Sequence, residues 1–179
     1  MLRLVVPGGE LWDEVTETFS EAKSTVLTLE HSLLSLSKWE SKWCVPFLGD
    51  EPRTGEQTLD YVSAMTITQN VDQNVYLTMD RSILAQIEEY IARPMTATVI
   101  RKQQAGRNRE VVTAELIYYW MIALNIPFEC QKWHLNKLLT LINVCNIKNS
   151  PKKNMGRREV MQRNTELNAA RKAALGTRG

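Results

Sequence analysis

The residues of this chain best suited to metal or nucleophile chemistry are three cysteines and two histidines. Cys130, His134 and Cys145 read C-x3-H-x10-C, with Cys44 available as a fourth ligand. Structural zinc sites bring their ligands in close pairs on tight knuckles, and no C-x2-C pair occurs here. A free cysteine otherwise behaves as a small buried hydrophobe, so packing in a core or interface is the expected role of these thiols. Nucleophilic catalysis would require the fold to bring His31 or His134 to a serine or cysteine, because no G-x-S-x-G element is present. The phosphate cradles G-x-x-x-x-G-K-[ST] and G-x-G-x-x-G are also missing. A protein without catalytic residues, metal or cofactor is the expectation.

What the sequence does offer is aromatic and aliphatic surface, densest in "AELIYYWMIALNIPFECQKWHLNKLLTLINVCNIKN", residues 114–149. Its longest uninterrupted apolar run, Leu116 to Leu124, is nine residues. A bilayer needs about 20, so no segment is expected to span a membrane. With 179 residues the chain can bury one core of ordinary size. Three unpaired cysteines and a start, "MLRLVVPGGELWDE", without a leader pattern suggest a reducing, cytoplasmic setting. The formal charge of +2 hides an asymmetry. From Lys148 onward nine basic residues face Glu159 and Glu166, giving +7, and the remaining 13 basic and 18 acidic residues give −5. That is the signature of an acidic body with a basic extension.

The elements that must position these residues are mostly helical. "LRLVV" and "STVLTLE", residues 2–6 and 24–30, favour strands, with a turn signal at Pro7-Gly8-Gly9, and predict a short hairpin or strand pair. Leu29, Leu33, Leu36, Trp39 and Trp43 share one side of a helix from about Ser32 to Trp43, which must stop before Val45-Pro46. Thr54 and Gln57 form a capping box for a helix from Gly55 to about Ile67, with Leu59, Val62 and Met65 or Thr66 inward. Thr78 is expected to cap the next, whose stripe is Ile83, Ile87, Tyr90 and Ile91 and whose end is Arg93-Pro94. Residues 101–110, "RKQQAGRNRE", read as a mobile surface loop. A helix from about Thr113 to Asn125, apolar on every side, should be central and packed all round. It should form a helical hairpin with the next, whose stripe is Leu135, Leu138, Leu139, Ile142 and Cys145. Trp39, Trp43, Trp120 and Trp133 sit at helical spacings and are assigned first to the core, while isolated Trp12 suits an anchor or interface.

The architecture expected is therefore mainly α: a compact helical body with an N-terminal strand pair, residues 1–149, and a basic helical arm, residues 150–179. The arm helix, from about Arg157 to Leu175, has only Val160, Met161, Leu167 and Leu175 as large apolar groups. Lys152, Lys153, Arg157, Arg158, Arg163, Arg171 and Lys172 have the charge to contact nucleic-acid phosphates. No aromatic residue accompanies them to stack on bases, so a solvated or protein-docking arm is the preferred role.

Two blocks, "LEHSLLSLSKWESKWCVPFLG" at residues 29–49 and "ELIYYWMIALNIPFECQKWHLNKLLTLINVCNIKN" at 115–149, together with the tail "LNAARKAALGTRG", resemble small proteins encoded among the virion and tail genes of long-tailed bacteriophages. The likeness runs over nearly the whole chain. It implies a tail assembly chaperone of the host cytoplasm, a helical protein that binds the tape measure protein and prevents its aggregation before the tail tube polymerises around it. Many such chaperones have a short form and a longer one made by frameshifting near the C-terminus, and the basic tail ending in "GTRG" would suit such a point of extension; the resemblance transfers no site residue. On this reading a client helix would lie in a groove between helices. Candidate contacts are Trp39, Trp43, Tyr118, Tyr119 and Trp133, with Arg157, Arg158, Arg163 and Arg171 steering acidic clients. The competing expectations are a structural virion protein, such as a minor tail or head-to-tail connector component that oligomerises through the same core, and nucleic-acid binding through the arm.

Overall fold

The computed structural model describes residues 1–13, 18–99, 111–150 and 157–176. The loop expected over 101–110 and the linker before the arm lie outside these residues, as does the side chain of Trp12. The chain divides into two units, Met1–Ile147 and Lys148–Gly179. The fold is mainly α with strands at the N-terminus.

The first unit opens with β1 (Leu2–Val6), β2 (Gly9–Asp13), β3 (Thr18–Ala22) and β4 (Thr25–Leu29). β1 pairs antiparallel with β4, Leu2 opposite Leu29 and Val6 opposite Thr25. β2 pairs with β3, Gly9 opposite Ala22 and Asp13 opposite Thr18. The expected strand pair is thus present, but the chain does not turn at Pro7-Gly8-Gly9. It passes through with its register unbroken and continues as a second ribbon. At this joint a Cβ on Gly8 would stand 2.6 Å from the Ala22 carbonyl oxygen and 2.9 Å from the Ser24 nitrogen, so only glycine fits. Alternation in β1 and β4 places Leu4, Val6, Leu27 and Leu29 in the core and leaves Val5 and Val26 outside. The free edge of β4 is sealed where Glu30 N–H donates to the Met65 carbonyl (2.9 Å) and Ile67 N–H to that of Thr28 (2.8 Å).

α1 (Leu33–Trp43) starts at Ser32, whose hydroxyl accepts from Ser35 N–H while the Ser35 hydroxyl accepts from Ser32 N–H. It ends at Cys44 in a left-handed conformation (φ 53°), ahead of Val45-Pro46 as expected. α2 (Gly55–Met65) begins with the Thr54–Gln57 capping box. Its inward stripe is Tyr61, Val62 and Met65, whereas Leu59 is only half-buried. Thr78 does not cap the next long helix. It closes the short α3 (Asn74–Leu77), its hydroxyl donating to the Val75 carbonyl, and Asp80 caps α4 (Arg81–Ala92) by accepting from Ile83 N–H (2.8 Å). Ile83, Ile87 and Tyr90 of α4 are buried and Ile91 half-buried.

α5 (Ala114–Ala123) starts at its Thr113 cap, and α6 (Leu135–Asn149) carries Leu135, Leu138 and Ile142 into the core. Between them Phe128–Lys132 form a 3-10 helix that contains buried Cys130. Two expectations are corrected here. α5 is not wrapped on all sides: Ala114, Ile117 and Met121 are buried along one face, against α1, while Tyr119 and Ile122 face solvent. α5 and α6 are also not joined by a plain turn: the 3-10 helix Phe128–Lys132 stands between them, and Trp120 of α5 lines a cleft together with Leu139 and Ile142 of α6.

The second unit holds α7 (Arg157–Leu175), whose side chains are exposed wherever they are described. Alanine, arginine, glutamate and glutamine favour helix here, and its large apolar groups are too sparse to bury a face.

Candidate partner-binding surface

The two histidines come together, but in the interior. His31 follows β4 and His134 precedes α6, and the two segments are tied by a bridge between Ser32 and His134 and by Leu135 N–H donating to the His31 carbonyl (2.7 Å). Nε2 of His134 faces the Tyr90 carbonyl (3.1 Å), an acceptor only, so this nitrogen carries the ring proton. Its Nδ1 then accepts from Asn136 N–H (3.3 Å). Asn136 Nδ2 donates to the carbonyls of Ile91 (2.9 Å) and Arg93 (2.8 Å), so this turn satisfies the open C-terminal carbonyls of α4. The Tyr61 phenol, whose pKa burial raises, is hydrogen-bonded to Nδ1 of His31 (2.6 Å). The Tyr90 phenol donates to Oε1 of Glu30 (2.7 Å). Burial first, then the charges of His134 and Arg53, lower the His31 pKa from 6.5 to about 3. Burial also lowers His134, opposed by its bond to Tyr90 and by the Glu30 charge. Both rings are buried and hydrogen-bonded, an arrangement that holds elements together.

Cys130 and His134 do not share a helix face, because α6 begins only at Leu135. Burial raises the Cys130 pKa, with a further push from the Glu129 charge, which keeps this sulfur a thiol. Cys44 is exposed and Cys145 half-buried.

The sequence-selected aromatic residues divide by depth. Trp39 is 1% exposed, donates its indole N–H to the Gln57 carbonyl (2.8 Å) and meets Phe47 edge-on, ring centres 5.2 Å apart. It is core and cannot touch a partner. Half-buried Trp43 donates to Oδ2 of Asp60 (2.8 Å), with the Lys42 ammonium 5.5 Å from its ring centre. Tyr118, also half-buried, donates to Oε1 of Gln131 (3.0 Å) and neighbours Phe128 at 6.4 Å between ring centres. Tyr119 is 64% exposed. Trp133 is not in a helix, contrary to its spacing: it lies between the 3-10 helix and α6, 38% exposed, with Lys137 Nζ 4.3 Å above the ring centre. Arg158, Arg163 and Arg171 are exposed on α7, and the side chain of Arg157 lies outside the described residues.

Two surface residues escaped the sequence reading, Ile122 at 61% and Phe128 at 53% exposure. Ile122 lies one turn from both Tyr118 and Tyr119, so these residues and Phe128 form one apolar face on α5 and the segment after it. The signal that could have found Ile122 was the run itself: nine apolar residues in a row, Leu116 to Leu124, exceed what one buried face can absorb. On another side of α5, Leu48, Gly49, Asp50, Val111, Val112, Trp120, Leu139, Ile142 and Asn143 line a cleft of about 430 Å³. Among the described residues no group of three or more His, Cys, Asp or Glu side chains is placed to hold a metal, and no helix is long and apolar enough to cross a membrane.

No family model, curated protein or solved structure matches the chain.

Proposed function

We propose that this chain is a non-enzymatic protein-binding module, and that its role is that of a phage tail assembly chaperone holding amphipathic helical segments of the tape measure protein in the host cytoplasm. The resemblance of its Trp-rich blocks supplies the client. The physical support is the solvent-facing apolar side of α5, where Tyr119 and Ile122 are exposed and Tyr118 neighbours exposed Phe128. Apolar groups clustered on one helix, rather than scattered singly, mark a surface that another polypeptide covers. A client helix laid along α5 would bury them in the helix-in-groove mode, with aromatic side chains supplying most of the contact area.

Coexpression with the tape measure protein tests the reading. The chaperone role requires that the client become more soluble, and that a Tyr119→Ser/Ile122→Ser double variant lose this effect while remaining folded. A client that is equally insoluble with and without the chain removes the proposal, and stoichiometric recovery of the chain from purified particles would instead favour a structural virion role.

A further inference from the structure

The cleft between α5 and α6 differs in character from the exposed face of α5. Among the described residues, Leu48, Val112, Trp120, Leu139 and Ile142 make its wall, Asp50 is the one charged lining residue, and no lysine or arginine takes part. Such a site selects an apolar ligand with a single cation, since an acidic group at that place would meet Asp50 with like charge.

α7 carries the matching pattern. Leu167, Arg171 and Leu175 stand at i, i+4 and i+8, one row along the helix, with both leucines exposed. The segment that contains them carries +7 against −5 for the rest of the chain. We propose that the cleft is a docking site for α7 of a second copy of this chain, with Leu167 and Leu175 against the apolar wall and Arg171 paired with Asp50. Reciprocal exchange of two arms into two clefts closes a two-fold dimer and leaves no unfilled site to propagate association.

Sedimentation equilibrium of the full chain over a range of concentrations tests this. A monomer–dimer equilibrium is expected, weakened about tenfold or more by either Asp50→Arg or Arg171→Asp. The double variant Asp50→Arg/Arg171→Asp, which restores opposite charges in the reverse order, should regain most of the affinity. Far-UV circular dichroism of each variant reports folding, and rescue in the double variant separates lost pairing from lost structure. A chain that stays monomeric at every concentration, through an arm folded onto its own body or an arm that docks nowhere, overturns the proposal. So does a dimer indifferent to Asp50→Arg, or one that the charge exchange fails to restore. The outcome is independent of the tape measure reading, which coexpression decides.

Discussion

The imidazoles of His31 and His134 meet edge to face in the core, ring centres 5.1 Å apart, with Nδ1 of His31 hydrogen-bonded to the Tyr61 phenol and Nδ1 of His134 accepting from Asn136 N–H. The pair joins the end of the N-terminal hairpin to the start of α6 and, through Tyr90, to the end of α4. A proton on either ring would put charge into a dry environment beside its neighbour, and on His134 it would also cost the acceptor that Asn136 N–H uses.

Stability should therefore fall in acid. Above pH 6.5 His31 is neutral folded or unfolded and contributes no pH dependence. Below it the unfolded chain binds a proton that the folded chain refuses, down to about pH 3, where the folded ring also titrates. At about 1.4 kcal/mol per unit, roughly 2–3 kcal/mol should be lost between pH 6.5 and 4.5, with His134 adding in the same sense. Urea unfolding at several pH values measures this. His31→Gln should remove most of the slope attributable to that ring, and a slope identical to that of the unaltered chain would refute the assignment.

Buried Glu40 accepts Phe47 N–H at one carboxylate oxygen (2.8 Å) and Ala114 N–H at the other (2.7 Å). Ala114 is the first residue of α5, so the carboxylate also faces the positive end of that helix. Glu40→Ala strands two amide donors and should cost about 2–4 kcal/mol; Glu40→Gln, which keeps one acceptor, should cost about half as much. Thermal unfolding of both variants checks the order. Equal losses would mean that packing, not the paired acceptors, is what Glu40 supplies.

The adjacent glycines of the hairpin should respond oppositely. A Cβ at position 8 collides with backbone atoms of the opposing strand, whereas one at position 9 would lie 3.4 Å from Thr78 Cγ2, an ordinary contact. Gly8→Ala is expected to lose about 1–3 kcal/mol and Gly9→Ala to stay within about 0.5 kcal/mol, by denaturant titration. If both are neutral, the two ribbons are not joined in the close register described.

Substitutions on α5 should separate stability from binding. Ile117 is fully buried, and Ile117→Ala should cost about 2–4 kcal/mol. Ile122→Ser, five residues on, should change stability by about 0.5 kcal/mol or less yet weaken client rescue in coexpression. A large loss of stability from Ile122→Ser would place that residue in a core and remove it from the binding face.

Much of the fold was legible where local chemistry decides it. The Thr54–Gln57 box, the stop at Val45-Pro46 and the stripe Ile83, Ile87 and Tyr90 are each fixed by neighbours within a few residues in sequence. Periodicity failed where it lacked a polar side to orient it. α5 shows apolar residues on every face, so spacing could not tell Ile117, which is core, from Ile122, which is not. Trp39 and Trp133 looked alike in sequence, but one is sealed by Phe47 and Tyr61 and the other lies outside a helix under Lys137. The meeting of His31 with His134 joins distant parts of the chain and leaves no local trace. The Ser32–Ser35 cap was overlooked because serine in place of glutamate or glutamine at the third position is a weaker signature.

Glu40 has one more consequence. Residues 48–113 depart from and return to the same carboxylate, at Phe47 and Ala114. That excursion, with α2, α3 and α4 inside it, has both of its ends held on one carboxylate, so its entry and exit are kept side by side.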